Sequence, residues 1–289
     1  MSRVVDLLEA GTSRSVELWP PRSEAAAARL AATLDRLELL RPDFASITYG
    51  AAGSTRDRTH DLVVELQRDR HVTAMAHLAC AAHSRSELGA ILARYREAGI
   101  ENVLALRGDP PQGSTGPLAD GELRHAIELV ELVHDAGPFC VAVAAYPAGH
   151  PDAPDLETDR RHLASKLAVA DLAITQFFFG LAEYLRLVDD LEALGLDRPV
   201  IPGVMPVTSV RTLDRMAALL GAPVPLDIAE RIEAAREDPD EVHRVGVEIA
   251  TELCGELLAA GAPGLHFYTM NQFAATLEIC TALDLVPRA

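Results

Sequence analysis

Cysteine, positive charge and long apolar runs are all scarce in this chain of 289 residues. Its 4 cysteines, Cys80, Cys140, Cys254 and Cys280, lie far apart, and none forms a Cys-x-x-Cys pair. That spacing argues against a disulfide framework or a zinc knuckle and reads as reduced thiols in a cytoplasmic protein. Basic residues number 26 against 43 acidic ones, a formal charge of −17. Such a surface repels a phosphate backbone, so nucleic acid is not an expected partner. No apolar run approaches the ~18 residues of a membrane-spanning helix, so a membrane partner is not expected either. The opening stretch MSRVVDLLEAGTSRS lacks the apolar core of a secretory signal. Nucleotide signatures are missing as well: there is no Gly-x-Gly-x-x-Gly and no Gly-Lys-Ser/Thr. Gly50-Ala51-Ala52-Gly53-Ser54-Thr55 instead reads as a turn into a helix capped by Ser54 or Thr55, whose N-terminus can attract an anion. His77, His83, His150 and His266 show no helical ligand spacing, so no metal site is expected.

What the chain does contain is an alternation. Apolar residues make up 49% and charged residues 24%, an ordinary globular balance. Eight short apolar runs, at 15–19, 44–48, 72–78, 102–106, 139–145, 172–176, 199–205 and 264–268, are rich in Val, Ile and aromatics. Gly, Pro or Asp bounds several of them, as expected of buried strands. Each is followed by a helix-length segment. The best helices are Glu24–Leu39, Arg56–Arg68, the run entered at Ser84 with capping-box Glu87 and stopped by Gly99, Glu122–Asp135, Thr158–Val169, Ala182–Leu194 and Asp240–Ala260. Alternating βα units demand a mostly parallel sheet. Eight of them fit a single-domain (β/α)₈ TIM barrel spanning residues 1–289 better than an open, doubly wound sheet. The most loop-like stretches, Asp109–Gly121 and Pro147–Asp155, fall directly after strands, where a barrel keeps its functional loops.

Polar residues gather at the strand ends. Glu17 lies in the first run, Thr48 and Tyr49 end the second, and His77 is near the end of the third. The fourth runs into Arg107-Gly108-Asp109, the fifth into Tyr146 and then His150, the sixth ends at Gln176, and the eighth leads into Tyr268, Thr269 and Asn271. C-terminal strand ends of a barrel converge on one rim, so these groups are expected around one pocket. Period two puts Ser15, Glu17 and Trp19 on one face of the first strand. An inward Glu17 is costly to ionise and suits a general acid; an outward one would be a surface ion pair or a structural bond to His77 or Arg107. Gly108 lets backbone approach a ligand, while Arg107 can grip phosphate or carboxylate. Of Phe177-Phe178-Phe179, at least two are expected to pack the sixth strand on its helix.

Taken in order, VELWPPRS (16–23), PDFASITYGAAGSTRDRT (42–59), AHLAC (76–80), REAGIENVLALRGDPP (96–111), VAVAAYPAGHPDAP (141–154), AITQFFF (173–179), IPGVMPVTS (201–209) and GLHFYTMNQ (264–272) resemble the methylenetetrahydrofolate reductase family in its bacterial single-domain form. The resemblance implies a barrel that binds FAD without a Rossmann motif and takes hydride from NADH or NADPH. It further implies reduction of 5,10-methylenetetrahydrofolate to 5-methyltetrahydrofolate, feeding methionine synthesis. Glu17 matches the family's acid and Asp109 its aspartate near flavin and pterin. Gln176, Ser15, Tyr268 and Met216 match substrate positions. Thr48, His77, Arg107, Gly108, Asp109, Tyr146, His150, Asp159 and Lys166 match FAD-contacting positions.

The chain also departs from the family pattern. No Tyr stands in Gly116–Asp120, Ala164 and Ser165 replace basic residues before Lys166, and the turn Val169-Ala170-Asp171 is short. Thr212 replaces a common Gln, Met216 a ligand-stacking Phe and Gln272 an Arg. Two alternatives stay open: direct hydride transfer from NADH without flavin, and a non-catalytic barrel that binds folate or flavin. The sequence also leaves open a homo-oligomer.

Overall fold

A computed structural model describes residues 2–50, 56–108 and 121–286. Eight parallel strands close in sequence order into a barrel: β1 (Ser13–Leu18), β2 (Phe44–Ile47), β3 (Thr73–Ala79), β4 (Asn102–Leu106), β5 (Cys140–Ala145), β6 (Leu172–Phe177), β7 (Val200–Val204) and β8 (Gly264–Tyr268). β8 returns to pair with β1, with Glu17 opposite Tyr268. The eight expected strands are all present and the fold is a (β/α)₈ TIM barrel.

Residues at odd and even strand positions face different cores. Val16, Ile47, Ala76, Leu78, Val103, Val143, Ala173 and Phe267 point outward into the main core under the helices. Phe44, Met75, Leu104, Ala142, Ile174 and Ile201 point inward and fill the lower barrel. Helix α1 (Val4–Ala10) plugs that lower mouth with Val4, Val5, Leu7 and Leu8. The outer helices are α2 (Glu24–Leu40), α3 (Arg56–Val64), α4 (Arg85–Glu97), α5 (Ala126–Ala136), α6 (Leu156–Leu167), α7 (Leu181–Ala193), α8 (Val210–Leu220), α9 (Leu226–Ala234), α10 (Pro239–Ala259) and α11 (Ala274–Ala282).

Ser84 and Glu87 form the expected capping box at the start of α4. Two helices differ from expectation. The expected helix Arg56–Arg68 widens at Glu65–Asp69 into a π-type turn that buries Gln67. There the amide oxygen of Gln67 accepts from Ala74 N at 2.9 Å and its nitrogen donates to Gly99 O at 3.1 Å, so a polar side chain replaces regular helix. The expected Glu122–Asp135 helix starts later, because Glu128 accepts from the backbone N–H groups of Arg124 and His125 and caps α5 there. Helices α1, α8, α9 and α11 add to those expected; α1, at 7 residues, has no side-chain cap to announce it.

Asn102 ties α1 to the barrel. Its side-chain oxygen accepts from Val4 N at 2.7 Å, and its amide donates to Ser2 O at 3.3 Å and Ala74 O at 3.4 Å. Asn102→Ala leaves these buried groups unpaired, at a cost of about 1–3 kcal/mol. Urea denaturation is expected to show a lower midpoint with an unchanged slope, together with faster amide exchange in α1. An unchanged midpoint would show that the plug is held by its apolar face alone.

Candidate active site

The C-terminal mouth holds a cavity of about 260 Å³ lined by residues from several strands, among them Glu17, Trp19, His77, Tyr146, Gln176 and Tyr268. Five of the expected site residues therefore share one cavity: Glu17, His77, Tyr146, Gln176 and Tyr268. Its walls are completed by Leu104, Leu106, Ile174, Met205 and Met270.

Glu17 points inward. Its Oε1 accepts from the indole Nε1 of Trp19 at 3.0 Å, and its Oε2 lies 3.9 Å from His77 Nε2, too far for a hydrogen bond. Burial drives its carboxyl from the ordinary value of 4.5 up to about 7, against a smaller lowering by the Trp19 bond. Burial lowers His77 to about 3, so that ring is neutral near pH 7. Below pH 7 the two groups thus form a mostly neutral pair, 3.9 Å apart. His77 Nε2 is buried without a hydrogen-bond partner.

Beneath the acid lies a satisfied polar layer. Ser15 Oγ donates to Leu265 O at 3.1 Å and sits 2.8 Å from His266 Nδ1, while His266 Nε2 lies 3.2 Å from Ser46 Oγ. Both ring nitrogens of this buried histidine therefore have a hydroxyl partner, Ser15 on the Nδ1 side and Ser46 on the Nε2 side. Burial and the nearby His77 lower His266 to about 3. Ser15 is thus placed one layer below the cavity, where it orients His266.

Gln176 owes its position to an irregularity. The β6–β7 register shifts between Ile174 and Phe177, and such shifts re-aim side chains at barrel rims. Gln176 Oε1 accepts from Phe177 N at 3.0 Å, and the side chain lines the cavity. Tyr268 OH donates to Thr175 O at 2.6 Å, and burial raises its phenol well above the usual range, so it stays neutral.

A second group of expected residues lies along the β4–β5 side of the rim. Arg107 pairs with Asp152 at 2.7 Å. Tyr146 packs edge-on to His150 with ring centroids 4.6 Å apart. Lys166 Nζ donates to Ala144 O at 2.9 Å and is held below its usual pKa by burial. His150 is likewise lowered, first by burial and then by Arg107. Asp159 pairs with Arg160 at 3.1 Å. Gly108 has φ +82°, and a Cβ there would lie 2.8 Å from Ala79 Cβ, so only glycine lets this turn close on β3. Thr48, just past β2, anchors α3 through Thr59, whose hydroxyl donates to its carbonyl at 3.0 Å.

Met216 is not among the residues lining the cavity: it is buried at 2% exposure in the apolar cluster of Phe177, Leu213, Ile228 and Ile232, on the side of α8 toward α9. Arg215 and Leu219 of that helix line the cavity instead. Asp109, the Asp109–Asp120 part of the loop, and the caps Ser54 and Thr55 lie outside the described residues. Phe178 packs against Tyr184 of α7, rings 6.2 Å apart, and Phe177 and Phe179 join the cluster around α8.

Several contributors escaped sequence reasoning. Arg160, 3% exposed, donates to Tyr146 O and Pro147 O at 2.9 and 2.6 Å and fixes the loop after β5. Trp19, His266, Ser46 and Arg215 are the others. An (i, i+2) relation to Glu17 was the signal available for Trp19; Arg160 gave none.

The profile of the family described as methylenetetrahydrofolate reductase matches residues 3–284. A 5,10-methylenetetrahydrofolate reductase of Pectobacterium carotovorum is 36% identical over 274 residues, covering 94% of this chain and 90% of that one. The Escherichia coli protein of the same name is 35% identical, covering 94% and 91%. A methylenetetrahydrofolate reductase (NADH) of Arabidopsis thaliana is 32% identical over 98% of this chain and 51% of its own length. Among solved structures, a Clostridium thermocellum protein described as binding two copies of 5-methyl-5,6,7,8-tetrahydrofolic acid superposes with TM-score 0.62 at 14% identity, covering 97% of this chain and 98% of that one, a likeness of fold. By profile and by identity over nearly its whole length, this chain belongs to the methylenetetrahydrofolate reductase family of enzymes.

Proposed function

We propose that residues 1–289 act as one cytoplasmic catalytic barrel that reduces 5,10-methylenetetrahydrofolate to 5-methyltetrahydrofolate with hydride from NADH or NADPH, by way of FAD. The observation that carries this reading is the inward Glu17 carboxyl sharing one rim cavity with Gln176 and Tyr268.

Near pH 7 a substantial fraction of Glu17 is protonated and can pass its proton to the substrate nitrogen that leaves as the five-membered ring opens to a 5-iminium cation. Gln176 offers amide hydrogens to the pterin edge, and the rim aromatics exclude water. Asp109, which the family resemblance puts beside flavin and pterin, supplies negative charge to the cation.

The β4–β5 side suits a flat cofactor carrying phosphates. Arg107 and Lys166 provide cations, Gly108 permits close backbone approach, and the unpartnered Nε2 of His77 offers a polar contact. When bound, flavin supplies the hydride relay between nicotinamide and the substrate's methylene carbon. Thr48, Tyr146, His150 and Asp159 complete the proposed cofactor contacts; Ser15 acts on the substrate side through the layer under Glu17.

Anaerobic titration tests this directly. The purified protein is expected to be yellow, to bleach with NADH or NADPH and to recolour on adding methylenetetrahydrofolate. A colourless protein that still oxidises NADH when the folate is added would establish direct transfer. Tight folate or flavin binding without any oxidation would establish a binding barrel.

A further inference from the structure

Trp19 is the one tryptophan of the sequence, and its ring nitrogen donates to Glu17 Oε1 at 3.0 Å inside the cavity. Its own position is unusually well fixed. Asn271 brackets its backbone, accepting from Trp19 N at 2.8 Å and donating to Trp19 O at 2.9 Å. Thr269 Oγ1 donates to Glu17 O at 2.8 Å and accepts from Asn271 N at 3.2 Å. The turn that makes these bonds holds Met270 and Asn271 in left-handed backbone, φ 47° and 61°, a conformation Asn enters readily but Met seldom does. Arg215 of α8 stands over the indole, 5.4 Å from its centroid.

We propose that Trp19 is a positioning residue for the acid: it pins Glu17 Oε1, leaves Oε2 as the oxygen that carries and delivers the proton, and is itself held by the Thr269–Asn271 turn and Arg215. The chemistry follows from the indole, whose ring N–H can donate but not accept. In a protonated carboxyl the carbonyl oxygen is the stronger acceptor, so the indole N–H favours placing it at Oε1 and the hydroxyl at Oε2. Oε2, on the His77 side, then holds the proton. Without the indole the two oxygens are equivalent and the side chain is free to turn. The proposal rests on the reading of Glu17 as the acid.

The other ionisable groups lining this cavity are His77 from β3, His266 and Tyr268 from β8, Tyr146 after β5 and Arg215 from α8. Burial lowers both histidines and raises Tyr268, which leaves Glu17 as the one of these groups placed near 7.

Two measurements test the assignment. In the Trp19→Phe protein, kcat for folate reduction is expected to fall about tenfold with KM within about twofold. Its alkaline limb should also move to higher pH, because the lost N–H stabilised the carboxylate. In the unmodified protein, the emission of this single tryptophan is expected to titrate with the midpoint of that limb, and Glu17→Gln should flatten it. Unchanged kcat and limb in Trp19→Phe, or emission indifferent to pH where activity falls, would overturn the assignment. If Trp19→Phe does not fold, the emission titration decides alone. Full turnover in Glu17→Gln would instead remove the acid itself, a separate failure.

Discussion

Glu17→Gln is expected to lower the rate of folate reduction by about 10³-fold, within the 10²–10⁴ range that a positioned acid supplies. Glutamine keeps the shape and can still accept from Trp19 Nε1, but it carries no transferable proton. Oxidation of NADH or NADPH by a quinone acceptor needs no proton from this position and should survive, so the two half-reactions separate. The pH dependence has a definite sign. Glu17 acts when protonated and its carboxyl sits at about 7, so folate reduction should decline as pH rises through that value. A linked effect appears in stability. A carboxyl raised in the folded state favours folding below its unfolded value and loses that contribution as pH rises through its folded value. Above pH 7 the native protein therefore bears a buried negative charge that the Gln variant lacks, and the variant should melt higher there. Equal melting across that range, or retained turnover, would show that Glu17 is an ordinary surface-like carboxylate.

Gly203→Ala should be the most damaging single methyl group near the cavity. Gly203 lies on β7 beside the register shift, and its N–H donates to Thr175 Oγ1 at 2.8 Å. A Cβ there would run into the Thr175 carbonyl oxygen and stand 2.5 Å from Tyr268 Cε2. Neither neighbour can yield cheaply, because Tyr268 OH is bonded to that same carbonyl at 2.6 Å. Overpacking of this kind costs about 1–3 kcal/mol and more when backbone must move. The expected results are a lower melting temperature and a raised KM for the folate, since Tyr268 is pushed into the cavity. Gly89→Ala, on α4 with nothing within 4 Å of the added carbon, is the contrast and should be neutral or slightly stabilising. If both variants melt alike, the close approach at Gly203 is not a constraint on the barrel.

The sequence made the barrel legible because its strands announce themselves. NVLAL and FCVAVAA are short, apolar and bounded by helix ends, and eight such runs separated by helices admit few other arrangements. The rim was legible for the same reason: a polar residue that ends a barrel strand, such as His77 or Gln176, has one mouth to face. Helix faces were less readable. Met216 and Arg215 are adjacent in α8, and which of them meets the cavity depends on how the helix rolls against α9, a tertiary matter that local pattern does not encode. Contacts between distant elements were unreadable in principle. Arg160 reaches Tyr146 O and Asp190 only after α6 and α7 have docked, and Asn271 meets Trp19 only because β8 closes onto β1.

The most direct measurement is the protonation state of Glu17 itself, read as the carboxyl stretching band in infrared difference spectra between the native protein and Glu17→Gln across pH 5–9. A protonated-carboxyl band present at pH 6 and lost with a midpoint near 7 is the expected result. A carboxylate signal already complete at pH 5–6 would contradict a proton-holding acid in this cavity.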